Sequence, residues 1–100
     1  MFKVVKRDGE IADFNLNKIK DAIAKAFDAT GMESSDDILG LLVLRVTADF
    51  QSKLKEGKIH VEDIQDSVET VLEQTGYTEV AKAYILYRKQ REKMRNMKST

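Results

Sequence analysis

The sequence predicts an α+β domain, a four-helix cluster capped by a small antiparallel β-sheet that an N-terminal hairpin and a short third strand would form together. Two strand-rich segments around an Asp-Gly turn come first, four stretches of helical apolar spacing follow, and no proline interrupts the 100 residues. Strands grouped before helices argue against a parallel, doubly wound sheet. With 42% apolar and 34% charged residues the chain has a globular balance, and this length buries one modest core.

Residues 2–7 and 10–14 are rich in strand formers, and Asp8-Gly9 between them is a strong hairpin signal. Asn15 is placed as an N-cap, with Phe14 and Ile19 set as a hydrophobic staple around it. Leu16, Ile19, Ala22, Ile23, Ala26 and Phe27 then recur at helical spacing until Gly31. Ser34 or Ser35 caps a second helix, whose first turn holds Asp36 and Asp37 against the positive end of the dipole, and Gly57 is expected to stop it. Its apolar residues, from Ile38 to Leu54, cover most of the circumference, which predicts burial on several sides or contact with a second copy of the chain. Lys58-Ile59-His60 reads as the third strand. A third helix starts near Glu62-Asp63 and carries Ile64, Val68, Val71 and Leu72 on one stripe up to Gly76. The fourth begins after Thr78 with Val80, Ala81, Tyr84 and Ile85, and its pattern dissolves beyond Tyr87.

Charge is unevenly spread. The whole chain is neutral, yet residues 88–98 carry +5 and residues 1–87 carry −5. The longest apolar run, Ile38 to Leu44, falls far short of the roughly 20 residues a membrane span needs, and the first residues lack the marks of a signal peptide, so no membrane role and a cytoplasmic setting are expected. Absence of cysteine excludes thiol redox chemistry, cysteine nucleophiles and thiolate metal sites. His60 has no neighbouring serine or second histidine and reads as a turn or packing residue. Asp36-Asp37 and Glu62-Asp63 stand where helix-start acids are expected, rather than as acid/base pairs or magnesium ligands.

Neither glycine-rich phosphate motif occurs, so side chains would have to supply the charge for an anion. Lys6 and Arg7 flank the hairpin turn, and Lys18 lies in the first turn of the helix that the hairpin feeds, beside its free N–H groups. Together they form a candidate triphosphate cradle. The competing reading makes them solvated charges that blunt a strand edge. The basic tail likewise admits two readings, a nucleic-acid contact or a solvated linker helix with cations at the negative end of its dipole.

Four blocks resemble the ATP-cone family in order and spacing: Val4-Val5-Lys6-Arg7-Asp8-Gly9, Phe14-Asn15-Leu16-Asn17-Lys18-Ile19, Ile59-His60-Val61-Glu62-Asp63-Ile64-Gln65 and Ala81-Lys82-Ala83-Tyr84-Ile85-Leu86-Tyr87-Arg88. The resemblance runs from Val4 to Arg91. It implies a non-catalytic regulatory domain of a ribonucleotide reductase that binds ATP or dATP as an effector, with Mg2+, and acts on the catalytic domain of its host. By the same resemblance, Lys6, Arg7, Lys18 and Arg88 or Lys89 hold the phosphates, Val4 and Val5 lie along the base, and Asn15 stands near the ribose or the helix start. Residues 1–91 would be the nucleotide-binding domain and 92–100 a linker toward the catalytic domain. Where family members place threonine and histidine this chain has Val61 and Gln65, and no contact is carried over there. The reductase reaction, as the family's chemistry implies, needs a cysteine radical that this chain cannot supply. The stretch from Glu79 to Lys93 leans toward the anaerobic triphosphate reductases. The alternative is a helical protein- or nucleic-acid-interaction module, including the ATP-cone of a transcriptional repressor, although that repressor carries a four-cysteine zinc ribbon.

Overall fold

A computed structural model describes the backbone of residues 2–98 and the side chains up to Met94; Ser99 and Thr100, the end of the expected linker, lie outside the described residues. The elements run β1 (Lys3–Val5), β2 (Ile11–Asp13), α1 (Leu16–Thr30), α2 (Asp36–Phe50), β3 (Lys58–His60), α3 (Val61–Gln74) and α4 (Thr78–Lys98). This is the α+β arrangement of four helices and a small sheet. No helix among the described residues is long and apolar enough to cross a membrane.

The hairpin forms with β1 and β2 antiparallel, Val4 opposite Ala12. Its turn is longer than a two-residue Asp-Gly loop. Lys6 N–H bonds Glu10 O at 2.8 Å and Gly9 N–H bonds Lys6 O at 2.9 Å, so Arg7, Asp8 and Gly9 form a three-residue loop whose last residue takes φ 89°, a conformation that glycine adopts without a Cβ penalty. Arg7, read from sequence as the end of a strand, therefore opens the turn, and its side chain reaches Glu62 and Glu92.

Two sequence expectations are corrected. The sheet is mixed, in the order β2-β1-β3, because β3 pairs parallel to β1 with Val4 opposite Ile59. A parallel neighbour needs a crossover of a dozen or more residues, and α1 with α2 supplies it; that return path is a long-range fact to which local turn chemistry is blind. Nor does α2 run to Gly57. It ends at Phe50, passes through a 3-10 turn over Gln51–Lys53, and Glu56 and Gly57, both at positive φ, make the tight Lys55–Lys58 turn that starts β3. No glycine or proline marks the stop at Phe50, so the apolar pattern reads on past it.

Helix caps follow the sequence. The Asn15 side chain accepts the Asn17 N–H and Ser35 accepts the Ile38 N–H, satisfying donors that a helix start leaves free. Gly31 ends α1, its N–H bonding Asp28 O while Met32 N–H bonds Phe27 O, the paired bonds of a Schellman cap. Ile23, Phe27, Leu42, Val46, Phe50, Val68, Leu72 and Val80 are the sealed centre of the core. Around it α1 packs on α2 and α4, and α3 on α2 and α4. The open end of the hairpin is fastened by aromatic rings: Phe2 lies 4.4 Å from Phe14, and Phe50 lies 5.5 and 5.7 Å from these two, spacings at which ring quadrupoles attract. Just after Phe50, Lys53 reaches α3, bonding the Ser67 hydroxyl at 3.1 Å and Asp63 O at 3.3 Å.

Candidate functional site

The hairpin turn overhangs α3 and α4, and a cleft of about 320 Å3 opens there, lined by Arg7, Glu62, Glu69, Ile85, Arg88, Lys89 and Glu92. Helical spacing builds its walls. Residues 85, 88, 89 and 92 stand at i, i+3, i+4 and i+7 on α4, and 62, 66 and 69 share a face of α3, so each helix presents one charged stripe. Three cations meet three carboxylates, and most are paired. Arg7 contacts Glu62 at 3.6 Å and Glu92 at 2.7 Å. One Arg88 nitrogen donates to Asp66 at 3.0 Å and to Glu69. Burial works against the Arg88 charge, but the hydrogen bonds to Asp66 and Glu69 outweigh it and hold its pKa above the ordinary arginine value. Beneath, burial pushes the Tyr84 hydroxyl well above its usual range, with Arg88 opposing, so Tyr84 stays neutral.

Of the eight residues singled out from sequence, Arg7, Arg88 and Lys89 line this cleft. The other five do not. Lys6 is exposed beside the turn, and Lys18 is exposed in the first turn of α1. Val4 and Val5 are half-buried in the central strand, Val4 packing on the core. Asn15 is occupied by capping α1. No ion pair involves Lys6, Lys18 or Lys89 among the described residues. The basic stretch of α4 is partly self-neutralised near the cleft, and on its other side Arg91 donates to the Tyr87 hydroxyl while Lys25 lies 5.6 Å from that ring.

The carboxylates are what sequence reasoning missed. In sequence Glu62 reads as a helix-start acid, and the signal for Glu69 and Glu92 is only their helical spacing to Asp66 and Arg88. Gln65 lies between Glu62 and Glu69 along α3, and its carboxamide oxygen is buried without a protein partner. His60 is exposed at the end of β3 and makes no side-chain cap. A second hollow, near the end of α1, is lined by Asp28, Gly31, Met32, Glu33 and Ser34, a lining without a cation that does not suit an anion. Among the described residues no group of three or more His, Asp or Glu could hold a metal ion.

Fold and cleft together define a small α+β domain in which cations from the hairpin turn and a late helix are brought, with carboxylates, to one cleft. The chain belongs to the ATP-cone family: the model of the ATP cone domain matches residues 2–93. It is 43% identical over 98 residues to the ribonucleoside-diphosphate reductase subunit alpha of Chlamydia pneumoniae, covering 92% of this chain and 9% of that protein. A vitamin B12-dependent ribonucleoside-diphosphate reductase of Mycobacterium tuberculosis is 36% identical, covering 97% of this chain and 13% of that protein. The anaerobic ribonucleoside-triphosphate reductase of Haemophilus influenzae is also 36% identical, with 98% and 14% covered. The chain thus spans about a tenth of the length of these relatives, and the identities do not single out the anaerobic type.

Proposed function

We propose that this domain binds ATP or dATP in the cleft beneath the hairpin turn and thereby controls the overall activity of a cytoplasmic ribonucleotide reductase, with the catalytic domain of that host as its partner. The observation that carries the reading is the convergence of Arg7, from the turn, with Arg88 and Lys89, eighty residues later, on one cleft. Guanidinium forks and a mobile ammonium are the groups that recognise a phosphate chain. Lys6, exposed beside the turn, and Lys18, exposed in the first turn of α1, would close on the same anion when the turn moves. Val4 and Val5 would then lie along the base and Asn15 near the ribose or the start of α1.

Because three carboxylates balance the cleft's cations, a triphosphate needs its own charge reduced. Mg2+ held by phosphate oxygens and water does that, and such sites use few protein ligands. On α2, Leu41 and Leu44 are 56% and 66% exposed, and this unpartnered apolar face is where a second copy of the chain would dock. Isothermal titration with MgATP and MgdATP tests the reading. Binding tighter than about 1 mM, near −4 kcal/mol, that weakens when Arg7 and Lys89 are neutralised is the expected result. Absence of binding in that range overturns it, and affinity for DNA or RNA that falls steeply with salt would favour the nucleic-acid alternative.

A further inference from the structure

Arg7 stands at the hairpin tip between carboxylates from two helices. Glu92 of α4 meets its Nη1 at 2.7 Å, a hydrogen-bond length, whereas Glu62 of α3 stands 3.6 Å from Nε, and only 24% of the arginine side chain is exposed. Glu69 is already engaged by Arg88. A phosphate would need the same donor edge of the guanidinium, and one fork cannot serve two anions at full strength.

We propose that Glu92 is an internal counter-anion, which occupies Arg7 in the free domain and is displaced by the ligand's phosphate, so that nucleotide binding unfastens the hairpin tip from the outer half of α4. This rests on the reading of the cleft as a phosphate site. Arg7–Glu92 is the one ion pair joining hairpin to α4 among the described residues. It lies two turns beyond Tyr84, the last buried residue of that helix among the described residues. Its loss therefore leaves α4 held as far as Arg88, which Asp66 and Glu69 fasten to α3, and releases the tip only from the turn that carries Glu92. Glu92, at 48% exposed, competes weakly enough to be displaced: ion pairs of this exposure shift an equilibrium by roughly two- to fivefold.

The test is a double-mutant cycle with MgATP. Glu92→Gln is expected to bind about two- to fivefold more tightly than the parent, and in an Arg7→Gln background the same change is expected to have no effect. An equal gain in both backgrounds would mean that Glu92 acts only through general charge, which overturns the proposal. A second readout follows the tie directly. The chain has no cysteine, so spin labels at Asp8→Cys and Lys93→Cys report the tip-to-helix separation, and both Glu92→Gln and MgATP are expected to lengthen it. MgATP binding with no response of the labels would overturn the displacement alone, whereas no MgATP binding by any variant would overturn it together with the functional reading.

Discussion

Replacing Arg88 with methionine separates a structural clamp from a surface charge. Methionine keeps an unbranched stem over α3 and removes the fork. Two carboxylates lose their partner. Asp66 is 56% exposed, and its share resembles an exposed pair at roughly 0.2–1 kcal/mol. Glu69 is only 21% exposed and faces an arginine that is 18% exposed. Stranding a fully buried charge costs about 3–5 kcal/mol, and the remaining access to water lowers that figure here. The sum is a loss of about 1–3 kcal/mol, which in a domain of this size lowers Tm by roughly 5–20 °C. Thermal melts followed by the helical circular dichroism signal measure it, and Glu69→Gln in the Arg88→Met background is expected to restore most of the loss, since an amide needs no counter-cation. The sign with pH is also fixed. A group whose pKa is raised on folding contributes in full below its unfolded value and loses that contribution only above it, so the titration of Arg88 itself adds no pH dependence to the deficit in the neutral range. A shift below about 2 °C, well under 1 kcal/mol, would refute the clamp and make Arg88 a free cation.

Two further predictions concern the hairpin. A Cβ at Gly9 would meet no atom within 4 Å, so Gly9→Ala should cost only the conformational penalty of a left-handed residue, about 1–2 kcal/mol by urea unfolding; an unchanged midpoint would mean that the turn re-forms another way. The hydrogen bond and charge of Lys3 hold the Asp13 carboxyl below its ordinary 3.8, so the pair's contribution is present above that value and disappears as pH falls through the lowered one. Carboxyl NMR should show Asp13 titrating low and returning to normal in Lys3→Met, and a normal titration in the parent would refute the ion pair.

Local signals in this chain were legible because they act locally. Asp8-Gly9, Asn15, Gly31 and Ser35 each shape a turn or cap within a few residues, and the stripes at Ile19–Phe27 and Ile64–Leu72 state which face of each helix is buried. The parallel pairing of β3 was not legible, since it depends on where two helices deliver the chain. The site divides in the same way. Positive charge at Arg7 and Arg88 could be named from sequence, but their partners Glu92 and Glu69 belong to the crossing of α3 and α4 under the turn. A list of cations shows which groups favour an anion, and only the packing shows which are already taken.

The two ends of the hairpin obey different physics. Its base is held by Phe2, Phe14 and Phe50, and such apolar contact strengthens in salting-out conditions. Its tip is held by charge, which weakens as the screening length falls from about 8 Å at physiological ionic strength to about 3 Å at 1 M. Concentrated salt would thus slacken one end while tightening the other, making ionic strength a way to swing the tip about a fixed root with no ligand added.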